Sequence, residues 1–386
     1  MSARPETQRI ALLSWGALGI CLHIGLARFG YGVILPALQA ELELDYTAAG
    51  LLNALHLAGY LAGTLSGAAM GQRLGMYDLG RLGHWMVFLG AVACALATGT
   101  TVLGLGRLAT GLGAGWAVIA ILVTVLGSMA EGIRARASVL ICTGMAAALL
   151  GCGILSPWLL EAGWWRAEFV VAAMVALTLA LGFPAPCCSP APEPQDAKLT
   201  LHELAGGRWI WLVATYFCFG VGYIAYATFA GANLSASNAD ALLVMLAWTA
   251  AGAATTAGSL LTLWVLGRPR LAPLALAGAM ALSATGAAIG ALAQPVAALV
   301  GAVLVGGGFA AIPALITAAV RTRSSAAAYA RAFSVATAAL GLGQFLGPVL
   351  AGALADLFGP LAAPLFGAFA YAAGAGFAAI DLRQSV

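Results

Sequence analysis

The sequence predicts an all-α integral membrane protein of about twelve transmembrane helices in two six-helix halves, and three observations carry that prediction. Hydrophobic residues make up 62% of the chain and charged residues 8%. A soluble domain is about 25% charged, so bulk water is not this chain's main solvent. Apolar runs long enough to cross a bilayer recur along the whole length. The basic residues are gathered into alternate loops, as cytoplasmic loops require.

The first run, at roughly 10–38, is too long for the core of a signal peptide and no small-residue cleavage site follows it, so it reads as a membrane helix. Five more follow at roughly 47–70, 84–101, 103–128, 137–160 and 167–185. The stretch 186–207 is the longest polar segment and is too rich in proline for one helix. It reads as a cytoplasmic linker between an N-terminal half, 1–185, and a C-terminal half, 208–386. The second half repeats the pattern at roughly 208–230, 240–264, 272–293, 295–320, 329–354 and 361–380. With the termini, the linker and alternate loops inside, fourteen of the 17 Lys+Arg are cytoplasmic and Arg166 alone is outside. Arg28 and Arg107 fall within helices. An odd number of crossings would scramble this bias, so both termini are expected in the cytoplasm.

Pro157 and Pro348 are expected to break the fifth helix of each half, and they stand about half a chain length apart, as do Gly75 and Gly267. A duplicated six-helix unit explains that spacing. Gly63, Gly67, Gly71 and Gly75 recur at every fourth position and predict a seam of close helix packing.

Composition also excludes several classes of function. The net charge of +3 is spread thinly along the chain and leaves no nucleic-acid footprint. Cys187 and Cys188 are adjacent in the linker without zinc spacing, and Cys21, Cys94, Cys142, Cys152 and Cys218 lie in apolar runs as packing residues. No GxxxxGK[ST] loop, carboxylate pair or base-activated nucleophile marks an ATP-driven pump or an enzyme. No feature of the sequence dictates an oligomeric state.

Three motifs then bear on family. In the fourth helix, GLGRLATGLGAGW carries Arg107 followed by Gly111, Gly113 and Gly115. After the fifth, GWWRAEF carries Trp165, Arg166 and Phe169, and the eleventh ends in GPVLAGALADLFG with Gly347, Pro348, Gly352 and Asp356. These resemble the arginine segment, the Trp-Arg-x-x-Phe turn and the eleventh-helix ending of the major facilitator superfamily, over nearly the whole chain. Thr110 stands where a glutamine is common, the loop GAAMGQRLGMYDLGR lacks the usual aspartate after its first glycine, and Ser156-Pro157 departs from the antiporter motif. The direction of transport therefore stays open. Arg28, Phe29, Leu35 and Pro36 in the first helix resemble the bacterial YbfB/YjiJ-like subgroup. The resemblance implies a secondary transporter in the bacterial inner membrane, with two pseudo-symmetric halves that rock about a central site and pass a small solute across the lipid bilayer.

An ionised arginine at a helix centre costs at least about 2.5–3.5 kcal/mol on insertion scales, so Arg28 and Arg107 should face a cavity or a partner. In the resembling family the first and fourth helices line the central cavity. On the 3.6-residue period Arg28 shares a face with Tyr31, which offers an anion a cation beside a phenol; the other reading is snorkelling to the outer interface. Asn53, His56, Tyr60 and Thr64 make one polar stripe on the second helix, fit to bind solute, to take a proton at His56, or to hydrogen-bond a neighbouring helix. His23 lies about 140° round the first helix from Arg28 and is expected to pack.

Tyr216, Phe219, Tyr223 and Tyr226 form an aromatic face on the seventh helix, which the resemblance places at the cavity; packing is the other reading. Ser334, Thr337, Gly341 and Gln344 make a polar face on the eleventh, with Gln344 its leading hydrogen-bonding candidate. The site candidates are thus Arg28, Tyr31, Asn53, His56, Arg107, Tyr223, Tyr226 and Gln344.

None of the 14 Asp+Glu falls in a predicted helix core, with Glu168 and Asp356 assigned to the outer side. No cofactor is expected, and proton coupling would need His56, His23, an edge carboxylate or the solute itself. Two buried positive charges favour an organic anion over a cation. The alternatives are efflux of neutral or amphiphilic compounds, with the arginines gating, and a non-transporting membrane sensor on the same fold.

Overall fold

Hydrocarbon offers no water to the backbone, so each crossing must satisfy its amide groups within itself, and the apolar runs do so as helices. The computed structural model describes residues 6–129, 131–161, 164–182, 209–237, 239–268, 270–292, 294–324 and 326–384, and no strand occurs among them. The expected linker, 186–207, with Cys187 and Cys188, lies outside the described residues.

The first helix, α1, is continuous through an α-helical stretch Glu6–Ile20, a π-helical stretch Cys21–Gly30 and a second α-helical stretch Tyr31–Leu42. Then come α2 (Tyr46–Leu74), α3 (Met76–Ala95) and α4, which runs Thr100–Ile121 and continues in a π-helical turn, Leu122–Leu126. Next are α5 (Glu131–Glu161) and α6 (Trp165–Gly182). The remaining six are α7 (Trp209–Ala236), α8 (Ala241–Leu266), α9 (Ala272–Ala291), α10 (Pro295–Arg323), α11 (Ala326–Phe358) and α12 (Ala362–Arg383). Among the described residues ten spans are long and apolar enough to cross a membrane, and the chain is an all-α, multi-pass membrane protein.

Two expectations change. The third helix is not 84–101: α3 begins at Met76, and Thr100 and Thr101 already belong to α4. Asp78 and Arg81 depress the hydropathy of the first turns of α3 without stopping the helix, which starts where Gly75 turns the chain at φ 86°, a region open mainly to glycine. Nor do the prolines break their helices, for α5 runs through Pro157 and α11 through Pro348. Each removes one backbone donor from its helix.

The chain forms two compact units, residues 1–43 with 55–192, and residues 44–54 with 193–386. The start of α2 is thus counted with the second unit and the rest with the first. In the first unit α1 packs on α5, α3 on α4 and α3 on α6; in the second α7 packs on α11, α9 on α10 and α9 on α12. Every one of these pairings recurs six helices later, which is the pseudo-symmetry of the two halves.

Glycine sets how closely the helices approach. A Cβ at Gly63 would meet the Leu112 carbonyl, one at Gly111 the His56 carbonyl, and one at Gly115 would lie 2.6 Å from the Tyr60 carbonyl. The α2–α4 seam is therefore backbone against backbone. Of the predicted four-residue series, Gly67 meets the Ile119 side chain, Gly71 meets Met76, and Gly75 is the turn.

In the second unit, Asp356 at the end of α11 accepts hydrogen bonds from the Tyr46 and Thr47 amides at 2.9 and 2.8 Å, and one from the Thr47 hydroxyl. One carboxylate thereby caps two of the amide donors that open the first turn of α2.

Gly111→Ala is expected to lower stability by about 1–3 kcal/mol, because backbone cannot yield as a side chain can. Gly278→Ala, where a Cβ meets nothing within 4 Å, should unfold like wild type in the same thermal scan. Asp356→Ala is expected to lose about 0.5–2 kcal/mol with the cap.

Candidate functional site

The site in the first unit is built round Arg107 on α4, which is only 1% exposed. Its Nη1 donates to the Ala27 carbonyl at 2.7 Å, and its guanidinium carbon lies 4.5 Å from the centre of the Tyr31 ring. Arg28, 6% exposed, stands at the same 4.5 Å over the ring of Tyr60. Each ring gives its cation an electron-rich face. The α-helical period placed Tyr31 beside Arg28, but Cys21–Gly30 is π-helical, and its i→i+5 turns carry more residues and shift the register. Tyr31 therefore comes under Arg107, while Arg28 finds Tyr60. Both arginines are buried against these rings.

His56 is fully buried, with Nδ1 3.1 Å from the Thr110 hydroxyl. That hydroxyl donates its one proton to the Arg107 carbonyl at 2.8 Å, so the imidazole must be the donor. In the neutral ring this puts the proton on Nδ1 and a lone pair on Nε2, which has no protein partner among the described residues. His23 packs, as expected, with Nε2 3.0 Å from His84 Nδ1 and the rings stacked at 5.0 Å.

Glu168 stands outside the candidate set, yet it is buried. Assigned to the outer side, it is 4% exposed on the buried face of α6, in register with Ala172, Ala176 and Leu179. That period of three and four was the available signal; hydropathy hid it, because Glu168 stands at the edge of an apolar run. The start of α6 is anchored from two sides. Trp165 Nε1 donates to Glu41 Oε2 at 2.6 Å, and Arg166 donates to Glu41 Oε1 at 2.6 Å and to the Ala97 carbonyl at 3.0 Å. One turn on, Glu168 faces a narrow cavity of about 310 Å³, counting its open mouth, lined also by Tyr31, Arg107 and Thr110, with Leu26, Val87 and Phe169 as apolar wall. Its Oε1 has no hydrogen-bond partner among the described residues.

The second unit holds the other four candidates. Asn53 donates to the Thr228 hydroxyl at 2.7 Å, and Gln344 donates to the Tyr223 hydroxyl at 2.7 Å. Phe219 stacks on both Tyr216 and Tyr223, and Tyr223 meets Phe309 edge-on. Tyr226 lines a cavity of about 480 Å³, counting its open mouth, with Asn233, Trp248, Phe309 and Pro364. Asp381, assigned to the cytoplasmic side, is buried in α12 and takes a two-pronged ion pair from Arg323, one bond at 2.9 Å. The eight candidates thus form two groups: Arg28, Tyr31, His56 and Arg107 in the first unit, and Asn53, Tyr223, Tyr226 and Gln344 in the second.

Residues 20–381 match the family described as uncharacterised MFS-type transporter YbfB. The chain belongs to that family. Its fold is similar to that of a bacterial homolog of the human lysosomal transporter Spinster, solved inward-facing and unoccupied, with a TM-score of 0.70, 17% identity, and coverage of 98% of this chain and 96% of that one. It is also similar to a point mutant of the nucleoside transporter NupG, with a TM-score of 0.72, 16% identity, and coverage of 97% and 98%. No curated protein matches the sequence significantly. At these identities the two structures speak for the fold alone.

Arg107→Lys keeps the charge but loses the planar fork over Tyr31 and its bond to Ala27. It is expected to cost about 1.5–3 kcal/mol, read as a lower thermal midpoint.

Proposed function

We propose that this chain is a secondary carrier for a small organic anion, working by alternating access of its two halves, 1–185 and 208–386, in the bacterial inner membrane with both termini cytoplasmic. The observation that carries the reading is a guanidinium, that of Arg107, 1% exposed on the wall of a cavity within a membrane-spanning bundle. Such a charge is retained against its insertion cost where it has work to do. Arg28 lies buried in the same unit. One carboxylate, Glu168, lines the same cavity as Arg107. His56, in the same unit, would offer an acceptor at Nε2.

A second reading, efflux of neutral or amphiphilic compounds, draws on the other cavity, where Tyr226, Trp248 and Phe309 offer an aromatic wall and Asn233 one polar group.

The two readings part in thermal unfolding of the purified protein with a panel of organic carboxylates, amines and neutral amphiphiles, since a ligand of the native state raises its apparent stability. The anion reading expects a rise with carboxylates that disappears in Arg107→Ala and weakens in Arg28→Ala. A rise with amphiphiles alone, unchanged in both variants, would give the second reading the first place.

A further inference from the structure

Anion binding leaves the cavity of the second unit without a task. That cavity, about 480 Å³ counting its open mouth, lies toward the end of the unit where α7 and α9 finish and α8, α10 and α12 begin. Two close backbone approaches frame it. A Cβ at Gly306 of α10 would stand 2.5 Å from the Ala251 carbonyl of α8, and one at Gly301 would stand 2.6 Å from Gly290 Cα on α9. With backbone already against backbone on both sides, α10 cannot settle inward over the space, and the cavity is preformed. Its walls specify what fits. Rings come from three helices, Tyr226 on α7, Trp248 on α8 and Phe309 on α10, and Tyr223 backs Phe309 edge-on with centroids 5.9 Å apart. Asn233, 4% exposed, brings an amide; its bond to the Ala291 carbonyl at 3.2 Å uses one of two N–H groups and does not involve the amide oxygen. A Cβ at Gly290 would crowd the Tyr226 hydroxyl at 3.1 Å, so glycine keeps the tip of that phenol clear. Among the described residues no charged side chain lines the cavity, and an ion entering it would lose its water without gaining a countercharge.

We propose that the second unit carries a binding site of its own for an uncharged molecule with a single aromatic ring and one hydrogen-bonding group, such as an aromatic alcohol or amide. The ring lies among Tyr226, Trp248 and Phe309, within the range of edge-on and offset aromatic contacts, and the polar group meets the Asn233 amide or the Tyr226 hydroxyl. A charged analogue is refused by its desolvation cost, and an aliphatic one of the same size forgoes the ring contacts. Every wall belongs to the second unit, so the site is complete without the Arg107 cavity. It is the cavity on which the second reading draws, but the inference asks only that the molecule bind and stands whether or not the molecule is carried.

The test is fluorine NMR of 4-fluorobenzyl alcohol with the whole chain in lipid nanodiscs, against nanodiscs without protein. Wild type is expected to give a saturable protein-bound signal that benzyl alcohol displaces, while benzylammonium, benzoate and cyclohexylmethanol at the same concentration leave it in place. Trp248→Leu, which removes one ring, should weaken binding about fivefold. A302F, which fills the cavity from α10, should abolish it, and Trp248→Leu serves if A302F does not fold. A signal that never saturates, that cyclohexylmethanol or either ion displaces as well as benzyl alcohol does, or that Trp248→Leu leaves unchanged overturns the proposal. Because binding is read without transport, and with an uncharged probe, failure here is distinct from failure of either transport reading.

Discussion

A guanidinium inside hydrocarbon has to be satisfied by the protein itself, and the first unit is organised round that demand. Arg107 receives a backbone carbonyl from Ala27, the face of Tyr31, and a cavity shared with Glu168. Ala27 and Tyr31 reach it from one wide-turned segment of α1, which places the carbonyl and the ring where an α-helical register would not. That segment ends at Gly30, where the absent Cβ leaves space for the Glu168 carboxyl. Glu168 in turn holds its depth because Trp165 and Arg166 fasten the start of α6 to Glu41 and to the end of α3. Even the α2–α4 seam serves the site, since Gly111 lets the His56 backbone come close, and the His56 ring meets Thr110 one residue before it.

The fold was legible because its signal is physical length. About 20 apolar residues must follow one another for each crossing, and the loops must hold the basic residues. Legibility failed where a helix extended past its apolar run, as α3 does through Arg81 and Asp78 to Met76. Arg107 could be read as a site residue because a charge in the middle of an apolar run stands out. Glu168 could not by that rule, since it sits at the run's edge, although the spacing to Ala172 and Ala176 puts it on the buried face. Tyr31 was assigned to the site but to the wrong cation, for no periodicity argument anticipates ten π-helical residues. Partners such as Thr228 for Asn53, or Tyr223 for Gln344, join distant segments, and spacing along one helix carries no information about them.

The two buried charges also divide the work differently from a surface pair. At a surface, water and salt would screen Arg107 from Glu168. In the buried cavity that screening is weak, and each charge is felt more strongly by its neighbours. The Arg323–Asp381 pair in the second unit is a contrast, for there cation and carboxylate meet directly in a two-pronged ion pair.

The central claim is that the Arg107 cavity serves the transport of an organic anion. The direct measurement is counterflow of labelled organic carboxylates, amines and neutral compounds in liposomes containing the chain. Saturable exchange beyond that of protein-free liposomes is predicted with at least one carboxylate, and its loss in Arg107→Ala. Exchange of an amine or a neutral compound, with every carboxylate silent, would contradict it.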